Sequence, residues 1–131
     1  MGKQKLFIGI DVSKGYADFC LLTSAKVRLD SNFQLDDNKY GHQILIDKLQ
    51  HFIKQGYYLV CGLENTGGYE RNWLLVIKSL VIKLKSIEVY KLNPKAVKYQ
   101  IQSLMGRTID EGVSAEGIAV YMINNYELVK Q

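Results

Sequence analysis

The chain has 131 residues, a net charge of +4, 47% hydrophobic and 23% charged residues, 11 glycines and one proline. At this length a chain buries roughly two-thirds of its unfolded surface in one core, and the composition excludes a disordered or fibrous polymer. The mild basic bias suits a polyanionic partner without requiring one.

Residues 5–12, KLFIGIDV, form an apolar run of β-favouring residues that ends on a carboxylate, and 16–24, YADFCLLTS, read as a second strand after the turn at Ser13-Lys14-Gly15. Residues 26–34 alternate loosely and predict a third strand, completing an antiparallel meander. After the start signal Asp36-Asp37-Asn38, Ile44, Leu45, Leu49, Phe52 and Ile53 recur at helical spacing until Gly56. YYLVCGLE, 57–64, is a nearly continuous apolar run of the kind that a parallel strand buries on both faces. Asn65-Thr66-Gly67-Gly68 then turns the chain into a helix from about Tyr69 to Leu84, followed by a short strand at 86–91. Asn93 caps the next helix, with Pro94 in its first position, where a missing N–H costs nothing. Beyond Gly106, residues 113–129 predict a single last helix.

The order βββαβαβαα, with right-handed crossovers to strands four and five, predicts an α/β, RNase H-like (RuvC-type) fold. Its mixed five-stranded sheet has three antiparallel then two parallel strands, flanked by helices. A doubly wound nucleotide-binding fold would alternate strand and helix from the start and carry a glycine-rich first turn; Asp11-Val12-Ser13-Lys14 is not one. The same turn argues against half of a sugar-kinase or actin-like ATPase, which would need a phosphate loop there.

Cys20 and Cys61 sit in apolar runs without zinc spacing. The N-terminus makes a poor signal peptide, and no apolar run reaches membrane-spanning length, so the expected location is cytoplasmic. His42 and His51, around the first helix, read as surface residues, and Trp73 and the tyrosines as packing. Tyr69 and Tyr99 are the aromatics best suited to stack on a base if exposed beside a basic surface.

Asp11 and Glu64 each end an apolar strand, and the predicted topology makes those strands parallel neighbours. Two acids at one sheet edge raise each other's pKa unless a cation lies between them. Mg²⁺ or Mn²⁺ is the natural neutraliser, and two such ions about 4 Å apart can activate a nucleophile and stabilise a leaving oxygen in phosphodiester chemistry. Two carboxylates are too few, and the 107–116 segment offers Asp110, Glu111 and Glu116. Lys14 follows Asp11 closely enough to reach a phosphate, and Lys91, Lys95, Lys98 and Arg107 belong to a lysine-rich second half. Lys95 and Lys98 share a helix face.

GIDVSK (9–14), LENTGGYE (63–70), LNPKAVKYQ (92–100) and SAEGIAVY (114–121) together resemble DEDD-type transposases of the insertion-sequence 110 group, which includes the pilin-gene inverting recombinase. The resemblance covers essentially the whole chain. It implies a RuvC-like catalytic domain over 1–131 whose four acids bind divalent metal, with Asp11 first and Glu64 second. Alignment on Ala115, Ile118, Ala119 and Tyr121 places Glu111 and Ser114 at the remaining positions, so Ser114 departs from the pattern; a shifted register brings in Asp110 or Glu116. It further implies DNA as partner, an element-encoded guide RNA, a homo-oligomeric full-length enzyme, and a separate C-terminal serine domain. Without that domain the fragment is expected to be inactive by itself. The alternative is an RNase H-like nucleic-acid-binding module whose metal site has decayed.

Overall fold

The computed structural model describes residues 3–105 and 114–131, with side chains described for 3–100 and 114–131. The chain runs through β1 (Lys5–Ser13) and β2 (Tyr16–Thr23) to β3 (Phe33–Asp36), then α1 (Lys39–Lys54), β4 (Tyr58–Glu64), α2 (Arg71–Lys83) and β5 (Ile87–Leu92). Three helices follow: α3 (Pro94–Met105), α4 (Ala115–Asn124) and the single turn α5 (Tyr126–Val129). The five strands form one sheet in the order β3-β2-β1-β4-β5. Strand β2 is antiparallel to both β1 and β3, whereas β4 is parallel to β1 and β5. This is the expected mixed sheet.

Alternation along the strands divides the core in two. On one face Leu6, Ile8 and Ile10 of β1, with Leu59, Cys61 and Leu63 of β4, pack against Leu45, Leu49 and Phe52 of α1 and Trp73, Ile77 and Leu80 of α2. The other face carries Phe7 and Val60 against Val97, Ile118, Tyr121 and Met122. There α4 also lies over Cys20 and Leu22 through Ala115 and Ala119. Gly9 permits this approach, because a methyl group at that position would overlap the Ala115 carbonyl oxygen.

Three elements differ by more than one residue from the sequence reading. The third strand occupies Phe33–Asp36 rather than 26–34, and within 26–32 only Arg28 makes an isolated bridge, to Leu22. A turn in which Thr23 N donates to Val27 O and Lys26 N to Thr23 O, with Lys26 at φ 65°, deflects the chain before it can pair. The second helix begins at Arg71 instead of Tyr69. The last helix breaks at Asn125, whose side-chain amide donates to the Tyr121 carbonyl at 2.9 Å. That bond competes with the helical ladder. His42 is also not a simple surface residue: its ring nitrogen lies 2.6 Å from Asp37 Oδ1, and its ring meets the buried Trp73 edge-on. Among the described residues no helix is long and apolar enough to cross a membrane.

Candidate metal centre

Strands β1 and β4 bring Asp11 and Glu64 together; Glu64 ends β4 as expected, whereas β1 runs on two residues past Asp11, to Ser13, because its pairing with β2 continues there. Ile10 lies opposite Leu63 in the parallel register, so Asp11 and Glu64 follow side by side at the carboxyl edge of the sheet. In the antiparallel pair Asp11 faces Asp18 of β2. Alternation places all three acids on the face covered by α4, since Cys20, two residues from Asp18, packs on Ala115 and Ala119.

The electrostatics mark this edge as unusual. Burial, then the negative charge of Asp11, pushes Glu64 from the ordinary 4.5 up to about 7. Asp11 moves in the same direction, through burial and then the proximity of Asp18. Glu64 Oε1 is buried and has no hydrogen-bond partner among the described residues. Such a group costs free energy unless something else satisfies it.

Two other acids show how the same protein treats a carboxylate with a structural task. Glu88, on β5, accepts hydrogen bonds from the hydroxyls of Tyr58, Tyr90 and Tyr126 at 2.5, 2.7 and 2.8 Å. Burial alone would raise it, but these donors hold it below its ordinary value. Glu70, buried just before α2, accepts from Thr66 N, Thr66 Oγ1 and Gly68 N, each at 3.0 Å. Its second oxygen lies 3.3 Å from Lys91 Nζ. Burial pushes Glu70 up, yet the hydrogen bonds from Gly68 and Thr66 outweigh it and bring it to about 2. Glu64, by contrast, has an oxygen to offer a ligand. The residue types present fit a hard divalent cation, which takes oxygen donors and would offset the repulsion of Asp11 and Glu64. Among the described residues no group of three His, Cys, Asp or Glu is placed to hold an ion.

The other sequence candidates fall into distinct places. Asp110, Glu111 and Arg107 lie outside the described residues. Ser114 is the N-cap of α4, its hydroxyl accepting from Gly117 N at 3.1 Å. Glu116 is exposed and pairs with Arg28 at 3.3 Å. Lys14 is exposed in the two-residue turn between β1 and β2, which leaves no room for an ATPase phosphate loop. Lys95 and Lys98 stand on the first turns of α3, which starts where β5 ends beside Glu64. Asn93 caps that helix as expected, Oδ1 accepting from Lys95 N at 2.9 Å. Lys91 has a partner, Glu70, that its sequence position did not reveal. Tyr69 and Tyr99 are both exposed.

Sequence reasoning missed Glu70 as an organiser, although LENTGGYE contains it. The available signal was two adjacent glycines beside a threonine, a segment whose backbone donors need a nearby acceptor. It also missed Asp37, which accepts from Asn72 Nδ2 at 3.3 Å while its backbone N–H donates to Gly15 O. Asp37 thereby ties the β1–β2 turn to the start of α2.

No protein-family model and no curated protein matches the chain. Among solved structures it is similar to a T. thermophilus RuvC in complex with a Holliday junction substrate, at 10% identity and TM-score 0.57, covering 95% of this chain and 96% of that one. It is also similar to another Thermus thermophilus RuvC structure, at 13% identity and TM-score 0.57 over 94% of this chain and 96% of that chain. The likeness is one of architecture: the chain has an RNase H-like fold of the RuvC type.

Proposed function

We propose that this chain is the metal-dependent catalytic domain of a DNA transposase or related recombinase, acting on phosphodiester bonds. The observation that carries the reading is the pair Asp11 and Glu64 on adjacent parallel strands, with a buried Glu64 oxygen that lacks a partner among the described residues. The RuvC likeness supports it, because one of those structures is a complex with a Holliday junction. Asp11 and Glu64 would hold Mg²⁺ or Mn²⁺, with Asp110 and Glu111 completing the set from the segment before α4. The bound cation would activate a water or hydroxyl nucleophile and stabilise the leaving oxygen. Lys14 at the end of β1, and Lys95 and Lys98 at the start of α3, would orient the DNA backbone across the carboxylates through phosphate contacts. Arg107 would add a further contact. DNA is thus the proposed partner, and the guide RNA and homo-oligomer that the resemblance implies are proposed with it.

Incubation of branched and linear labelled DNA with the chain and Mn²⁺, alone and joined to a serine domain of the resembling group, tests the reading. Strand cleavage by the joined protein that disappears in Asp11→Asn is expected. Cleavage that persists in Asp11→Asn would reject the site.

One observation favours a second reading, a nucleic-acid-binding module without catalysis: a capping serine occupies the position where the resemblance calls for an acid. Asp caps a helix as well as Ser does, so Ser114→Asp preserves the cap and adds a carboxylate. Cleavage gained by Ser114→Asp over an inert wild type would mark the natural chain as the binding module.

A further inference from the structure

The Asn65–Gly68 segment leaves the sheet directly behind Glu64. Gly67 and Gly68 adopt φ values of 78° and 124°, in the region that favours glycine. Upstream, Glu64 lies opposite Leu92 at the end of the β4–β5 ladder, and Asn65 N donates to Leu92 O at 3.1 Å. Downstream, the segment is gathered on one oxygen of Glu70, which takes Thr66 N, Thr66 Oγ1 and Gly68 N. The other oxygen of Glu70 reaches across to Lys91 of β5, the strand that also receives Asn65. The loop is therefore closed from both sides, on one strand and one carboxylate.

We infer that Glu70 is a positioning residue for Glu64: its carboxylate fixes the loop that aims Glu64 at Asp11, and its contacts leave it no part in metal coordination. The inference rests on the reading of Asp11 and Glu64 as metal ligands. Its logic is that of an outer carboxylate that orients an inner ligand by holding the backbone rather than the ligand's side chain. Lys91 pairs with Glu70, so a third uncompensated negative charge is not added beside Asp11 and Glu64.

The test uses the full chain. Mn²⁺ affinity is measured by calorimetry, and ¹⁵N and side-chain ¹³C relaxation of Glu64, Thr66 and Gly68 is measured without metal. Glu70→Ala is expected to weaken Mn²⁺ binding by roughly tenfold to a hundredfold and to increase the mobility of Glu64, Thr66 and Gly68. Glu70→Gln, which keeps an amide oxygen for the three donors, is expected to restore both readouts close to wild type. A folded Glu70→Ala with wild-type affinity and unchanged relaxation overturns the inference. Should Glu70→Ala fail to fold, Thr66→Val removes one donor, and Thr66→Ser returns it. Weaker Mn²⁺ binding in Thr66→Val that Thr66→Ser repairs supports the role, and equal binding in both rejects it. A wild type that takes up no Mn²⁺ refutes the metal reading by itself; positioning is then decided by relaxation, where increased Glu64 mobility in Glu70→Ala upholds it and unchanged mobility rejects it.

Discussion

Glu64 and Glu70 are six residues apart in one loop and share a side-chain chemistry, yet one is held near 7 and the other near 2. The difference lies in their partners. Loop N–H groups and a hydroxyl converge on Glu70, whereas Glu64 meets burial and a second carboxylate. The consequence for stability follows from the direction of the Glu64 shift. Its folded pKa is raised above the ordinary 4.5, so it favours the folded state below about 4.5, and that contribution is lost as pH rises through about 7. Asp11, shifted the same way, adds to the effect. In chelator, the melting temperature of the wild type should therefore fall relative to Glu64→Gln as pH rises from 4.5 to 8. With Glu64 only partly buried, the difference is on the order of 1 kcal/mol, or about 4 °C. Mn²⁺ at pH 8 should raise the wild-type midpoint and leave Glu64→Gln unmoved, as differential scanning fluorimetry would report. A variant that melts below the wild type in chelator at pH 8 would show that the Glu64 charge is compensated by something other than metal.

At the scale of elements, the site depends on how closely α4 lies on β1. Gly9 is two residues before Asp11 on the same face, and the first turn of α4, capped by Ser114, rests directly on it. The contact is with backbone, which cannot swing aside as a flexible side chain would. Gly9→Ala should thus push α4 off the sheet and destabilise the protein by roughly 1–3 kcal/mol, the range for overpacking a filled interior. Urea unfolding monitored by circular dichroism would measure this. A midpoint unchanged from wild type would mean that α4 does not sit on β1 in solution. The clamp at Asp37 is another inter-element device, since its carboxylate meets His42 and Asn72 while its backbone N–H donates to Gly15 O in the turn that carries Lys14. It fixes the position of Lys14 relative to α2 without forming part of the carboxylate edge.

For the whole molecule, the parallel strands β1, β4 and β5 all end at the edge where the candidate ligands stand, and the helix that follows β5 begins there with Lys95 and Lys98. Negative charge at the centre and positive charge at the rim suit a phosphodiester backbone drawn over a metal site. Each phosphate contact releases condensed counterion, so log K for duplex DNA should fall with log salt by about 0.9 per contact. Lys95→Ala with Lys98→Ala should flatten that slope by about 2 and weaken binding similarly across sequences. Fluorescence anisotropy titrations at two salt concentrations would measure both effects. An identical slope for the two proteins would exclude the start of α3 from the DNA path.

The order of elements and the two candidate acids, Asp11 and Glu64, were legible along the chain, because both are written in local patterns. An apolar run that stops on a carboxylate, as at Asp11 and Glu64, declares a buried strand and a polar edge at once. Asn93 and Pro94 likewise announced α3 through capping chemistry confined to a few neighbouring residues. Tertiary structure alone decided which acids are satisfied. The chain pattern that marks Glu64 does not say whether it, Glu70 or Glu88 will find donors, and their separation rests on donors that folding delivers: loop amides to Glu70 and three tyrosines, from β4, β5 and α5, to Glu88. Strand β3 was displaced for a related reason, since pairing depends on where the turn after β2 releases the chain, and the loose alternation of 26–34 does not specify that. Local propensity acts over a turn or a strand, whereas hydrogen-bond satisfaction is settled between residues that meet only when the sheet has closed.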